Sequence, residues 1–176
     1  MLRPHLANSL RSSLMGAWLM GTAFLWLVAT ENFRRVDAVL SSPHPEFHQR
    51  LEPLPDGEAR VVLRFLASKL NRFYFNVWGW SQLVLGGAIL ILSWRLAVDR
   101  FDLGILGAMW VLAAFLALWV TPSLIEIGRQ VDFIPRSPPP PQMGTFWRYH
   151  LAYTVSDLVK FGAGLFWLLR TGLKRT

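Results

Sequence analysis

His150, Tyr153, Asp157 and Lys160 interrupt an otherwise apolar stretch at helical spacing. Together with Gly164 they fall inside an arc of roughly 80° when about 100° is turned per residue, so one helix face is polar. Asp157 and Lys160 stand i to i+3, where carboxylate and ammonium can neutralise each other or a neighbour. Left unpaired in hydrocarbon, each would cost about 2.5 to 3.5 kcal/mol on insertion scales, so both are expected to face protein. The chemistry open to such a stripe is proton or solute passage, or a ligand pocket. The simpler alternative is a buried polar clamp that fixes helix register. Glu126 and Arg129 follow Pro122 at i+4 and i+7 and form a second ridge, placed to meet the Arg148 and His150 end of the first. Asn76, four residues after Arg72 and four before Trp80, joins from a third helix, either in this network or through a simple interhelical hydrogen bond. Asn76, Glu126, Arg129, Arg148, His150, Tyr153, Asp157 and Lys160 are thus read as one intramembrane network.

Two further patterns bear on metals and cofactors. In HPEFH, His44 and His48 would share a helical face with Glu46 near them, a candidate metal site. A zinc-protease helix, however, needs glutamate directly after the first histidine, and here Pro45 holds that slot, which makes a solvated loop the simpler reading. His150 could ligate a haem iron or a chlorophyll magnesium from a bundle wall, and nine Trp and twelve Phe suit a flat macrocycle. Interfacial packing is the alternative. No cofactor is firmly implied, and lipid is the expected companion. The chain has no cysteine, which removes disulfides, thiolate metal sites and cysteine nucleophiles. No Gly-rich phosphate loop, nucleophile elbow or basic-aromatic nucleic-acid patch is present, so neither an enzyme nor a nucleic-acid partner is expected.

The elements that must position these residues are set by composition. Hydrophobic residues make up 53% of the chain and charged residues 16%, with mean hydropathy +0.33, far from an ordinary soluble domain at about 25% charged. Four stretches approach the roughly 20 residues needed to cross a bilayer: 12–30, 73–94, 103–125 and, more weakly, 149–169. The expected fold is therefore an all-α integral membrane four-helix bundle. The first stretch resembles a secretory signal, but Leu27 occupies a position before Ala29 where cleavage wants a small residue, so a retained anchor is expected.

Residues 31–72 form the longest polar segment and are read as an extramembrane loop with a Pro-rich middle. No proline interrupts 58–94, and Val61, Val62, Phe65, Leu66 and Leu70 recur at helical spacing, with Asp56 placed to cap. The second span is thus predicted to extend beyond the bilayer as one long helix. The third is expected to pass Pro122 with a kink near Thr121, and the run SPPPPQ at 137–142 to form a stiff non-helical link. Gly86-Gly87 and Gly162-Ala163-Gly164 offer close helix contact.

Four crossings would place both termini with the loop at 95–102. Arg3, Arg11, Arg95, Arg100, Arg170, Lys174 and Arg175 lie on that side against Asp99 and Asp102, and this basic density favours termini in the cytoplasm of a bacterial inner membrane. Trp94 and Trp167 are then expected at the cytoplasmic interface, with Tyr74, Trp78, Trp119, Trp147 and Tyr149 at the other.

GAW at 16–18, FYF at 73–75, W-x-x-P at 119–122 and FWRYH at 146–150 resemble, in the same order, motifs of the transmembrane protein 205-like family. The resemblance implies a small four-span bundle in which Pro122, Arg148 and His150 match family positions. It implies no reaction, cofactor or ligand site, and after W-x-x-P this chain has Ser123, Leu124 and Ile125 where the family carries basic and threonine residues. Two functions follow as expectations. One is a non-enzymatic accessory subunit packing against other subunits of a larger membrane complex, energy-transducing or pigment-bearing, and against lipids. The alternative is a small-solute or metal transporter or export factor using the polar face of the fourth span.

Overall fold

The computed structural model describes residues 4–134 and 138–173. Arg3, Ser137, Lys174 and Arg175, which entered the sequence reading, lie outside the described residues. The described chain is all-helical, with no strand. Its elements are α1 (Pro4–Leu40), α2 (Pro45–Leu51), α3 (Glu58–Arg95), α4 (Arg100–Phe115), a π-helical turn (Leu116–Val120), α5 (Thr121–Gln130) and α6 (Gln142–Leu173). Three helical rods are long and apolar enough to cross a membrane: His5–Leu40, Glu58–Arg95 and Arg100–Gln130.

α1 and α3, with 37 and 38 residues, each reach about 55 Å at about 1.5 Å per residue, well beyond a hydrocarbon core of roughly 30 Å. They run antiparallel in one continuous register. Arg11 meets Ser93, Trp18 meets Gln82, Asn32 meets Asn71 and Asp37 meets Arg60, so position on one helix falls as it rises on the other. α6 packs against α1, α4 and α5, antiparallel to α4, since Arg170 near its end bonds Asp102 at the start of α4. The start of α1, the α3–α4 turn and the end of α6 therefore share one end of the bundle.

Much of the segment read as a loop is helical. α1 continues ten residues past Thr30, with Glu31 paired to Arg35 one turn on at 3.3 Å, and α3 begins at Glu58. Between them Pro45 opens the short α2, its fixed φ suited to a first helical turn. Asp56 does not cap α3. Gly57 takes that place with φ +82, a left-handed conformation that glycine enters without a Cβ penalty, and no side chain bonds the helix start. At the other end, Asp99 does cap α4, accepting the Asp102 N–H at 2.8 Å.

The third rod passes Pro122 as expected, by a specific device. Just before the proline the helix widens into a π turn, in which the Thr121 N–H reaches back five residues to the Leu116 carbonyl. This eases the clash between a proline ring and the carbonyl four residues earlier. Pro138 to Pro141 form no helix, but Gln142 belongs to α6, which starts where the proline run ends.

Met15, Trp18, Leu19, Ile89, Leu106, Met109, Ala113 and Trp167 form the core. Trp167 is thus not an interfacial anchor: it is wholly buried beneath the Arg11 guanidinium, 5.5 Å away, because it extends the face that carries Lys160 and Gly164. Trp78 is likewise drawn inward, its ring filling the space left by Gly21. Trp94, Trp119 and Trp147 remain exposed.

Candidate functional site

The buried positions of α6 are Tyr153, Asp157, Lys160, Gly164, Trp167 and Thr171, a seam of period three to four that follows from the sequence spacing. Gly164 lets this seam approach closely, since a Cβ there would stand 2.8 Å from Leu19 Cδ2 and 3.0 Å from Met109 Cε. At its centre Lys160 Nζ lies 2.5 Å from Asp157 Oδ1, and both side chains are almost completely excluded from the surface. The ammonium also donates to Gln82 Oε1 on α3 and sits 5.9 Å from the centre of the Trp18 ring on α1. Trp18 Nε1 donates more distantly, 3.4 Å, to the same Gln82 oxygen. The second carboxylate oxygen of Asp157 accepts the Trp26 indole N–H at 2.7 Å. Two full charges, one amide and two indoles from three helices thus close on one another. Tyr153, one turn earlier, packs edge-on against Phe75 at 5.2 Å.

Polar layers at both ends flank this centre. Towards the start of α1, Arg11 donates to Ser93 and Asn8 at 3.2 and 2.9 Å, and Arg170 pairs with Asp102 at 3.0 Å and Asp99 at 3.5 Å. Towards the long loops, Asn32 donates to Asn71, which donates on to the Ala29 carbonyl, and Arg72 binds Asp132 through two bonds of 2.7 Å. The Arg72 guanidinium lies over Gly128, where a Cβ would be 3.3 Å from Nη2. This planar two-point contact is one that lysine cannot reproduce. Arg72→Lys is expected to destabilise the protein by about 1 to 3 kcal/mol, read by thermal unfolding in detergent, with Gly128→Ala, which crowds the same guanidinium, changing stability in the same direction.

Of the eight residues assigned to one network, the structure brings together only Tyr153, Asp157 and Lys160. Asn76 is exposed. Glu126 and Arg129 pair with each other at 3.8 Å on the surface and do not bond Arg148 or His150. Arg148 and His150 are exposed, and the His150 ring stacks on Phe146 at 6.0 Å with Trp147 edge-on. The correction has a simple cause: at the start of α6 the covered face is the one that carries Tyr149, packed with Tyr153 against Leu116 and Val120, and His150 falls outside it. His44, Glu46 and His48 are all exposed and do not converge. His44 is in an extended conformation ahead of α2, while His48 Nε2 lies 2.7 Å from the Ser42 carbonyl. Among the described residues no group of three or more His, Cys, Asp or Glu is arranged to hold a metal ion.

Sequence reasoning missed Gln82, Trp18 and Trp26. A signal existed for the first: Gln82 lies between Gly79 and Gly86, three residues after one and four before the other, on the face that both glycines allow to pack closely, whereas Asn76 lies beyond that pair. The tryptophans carried no such mark, because their role rests on an indole N–H that composition reads as apolar. No family model, curated protein or solved structure matches the chain.

Proposed function

We propose that the chain is a non-enzymatic four-span protein of the bacterial inner membrane, both termini cytoplasmic, acting as an accessory subunit whose outer faces pack against other subunits and lipid. The observation that carries this reading is the division of the molecule. Its charges at mid-depth are closed on each other inside, while large apolar side chains from each rod point out: Phe24 from α1, Trp80 and Trp94 from α3, Val111 and Trp119 from the third rod, Phe166 from α6. Such faces suit helix packing or acyl chains. Of the residues that carry the resemblance to transmembrane protein 205-like proteins, Phe73, Trp119, Pro122, Trp147, Arg148 and His150 are exposed and open to such contacts, while Trp18 belongs to the core.

Purification from source membranes in mild detergent is expected to give a complex of fixed stoichiometry with other membrane subunits. Recovery as a lone monomer or homodimer overturns the proposal. An absorbance spectrum of the same sample decides whether a haem or chlorophyll accompanies it. The alternative, solute transport along α6, draws support from an apolar cleft of about 170 Å³ between α4 and α6, lined by Ile105, Met109, Leu112, Val159 and Ala163, which reaches the Lys160 side chain.

A further inference from the structure

We infer that α6 enters the membrane conditionally: α1 and α3 supply, through Trp26, Trp18 and Gln82, the partners without which its charged centre stays outside. The inference rests on the four-span reading above. α6 is as long as a span, with 32 residues, yet it is not among the helices apolar enough to cross unaided. Its two obstacles are Asp157 and Lys160. Each has one partner in the other, and every further polar contact comes from elsewhere in the fold: Trp26 on α1 for the carboxylate, Gln82 on α3 and the Trp18 ring on α1 for the ammonium.

The dependence runs one way. Gln82 and the indoles are neutral, and α1 and α3 are apolar enough to cross whether or not α6 is present. Both also precede α6 in the chain. The partners can therefore be in the bilayer before α6 needs them, and Gly164 admits the close approach of α6 to Met15 and Leu19 on α1 and Met109 on α4.

The absence of cysteine makes the test direct. In the full-length chain a single cysteine is placed at Thr145→Cys or at Gly172→Cys, exposed positions near the two ends of α6. Each is labelled with a membrane-impermeant maleimide in intact cells and in inverted vesicles. In the otherwise unchanged chain the two positions should label from opposite faces. With Gln82→Leu and Trp26→Phe together, both should label from the same face, opposite-face labelling falling about tenfold. Adding Asp157→Leu and Lys160→Met to that background should restore opposite-face labelling, because an apolar α6 needs no partners. If the altered chain is degraded in cells, the same labelling is read during cell-free synthesis into inverted vesicles. Opposite-face labelling that persists after Gln82→Leu and Trp26→Phe overturns the inference, as does failure of the apolar α6 to restore it. Same-face labelling in the otherwise unchanged chain overturns instead the four-span reading beneath it.

Discussion

Lys160→Met alone is expected to cost the folded protein about 3 to 5 kcal/mol, whereas Asp157→Leu combined with Lys160→Met should be neutral or stabilising by about 1 to 4 kcal/mol. The single change leaves a carboxylate in a site where neither charged side chain is more than 2% exposed, with one indole N–H as its remaining donor. The double change removes the whole desolvation cost and leaves only Gln82 and the Trp26 N–H to re-pair. Reversible unfolding in mixed micelles would measure both variants. Equal losses for the single and double variants would contradict a self-contained ion pair. The double variant also separates the two functional readings: transport along α6 predicts that solute flux disappears with the charges, and a packing role predicts that complex formation survives.

Gly86→Val should be strongly damaging, more so than a similar change at Gly164 or Gly162, at the upper end of about 1 to 3 kcal/mol. A Cβ at this position would stand 2.7 Å from both Trp110 Cδ1 and Trp18 Cη2. Neither ring is free to yield. Trp110 is held by its N–H on the Leu83 carbonyl at 3.0 Å, and Trp18 is buried in the core against Gln82. Valine would therefore separate α3 from α1 and α4 together. At Gly164 the nearest atoms are the flexible ends of Leu19, Met109 and Met15, so a substitution of similar size should cost less there. Gly162, with nothing within 4 Å of a Cβ, provides the control: Gly162→Ala should be neutral or mildly stabilising. Thermal unfolding in one detergent would rank the three, and a Gly86→Val variant as stable as the control would show that the helices can part without loss.

The helices were legible because their cause is local. Apolar windows flanked by charges mark 12–30, 73–94 and 103–125, and an unbroken 58–94 implied the single long α3 that is observed. What extends them was not local. The tail of α1 beyond Thr30 is held by contacts with residues 60 and 71, on a helix that begins after a proline-rich interruption. The charged pair on α6 was visible in its spacing, and its burial followed from the cost of the alternative. The ridge of Glu126 and Arg129 was misplaced because periodicity says which residues share a face of one helix and nothing about which face a neighbour covers. Gln82 was marked by its place between two close-packed glycines, but matching it to Lys160, and finding the two indoles, needs one helix's close-packed face combined with another's polar one, which is tertiary information.

The widened turn before Pro122 does more than accommodate an imino acid. Along the third rod, Leu106, Met109, Ala113, Leu116 and Val120 are buried in alternating steps of three and four; after the turn the phase resumes at Thr121 and Gly128, one position later than it would otherwise fall. The five residues of the turn thus act as a phase shifter, absorbing a surplus amino acid so that the upper half of the rod still presents Gly128 to Arg72. A gain or loss of one residue elsewhere along this rod would swing everything beyond it through about 100°. At the turn the extra residue is taken up while Gly128 still lies against the Arg72 guanidinium.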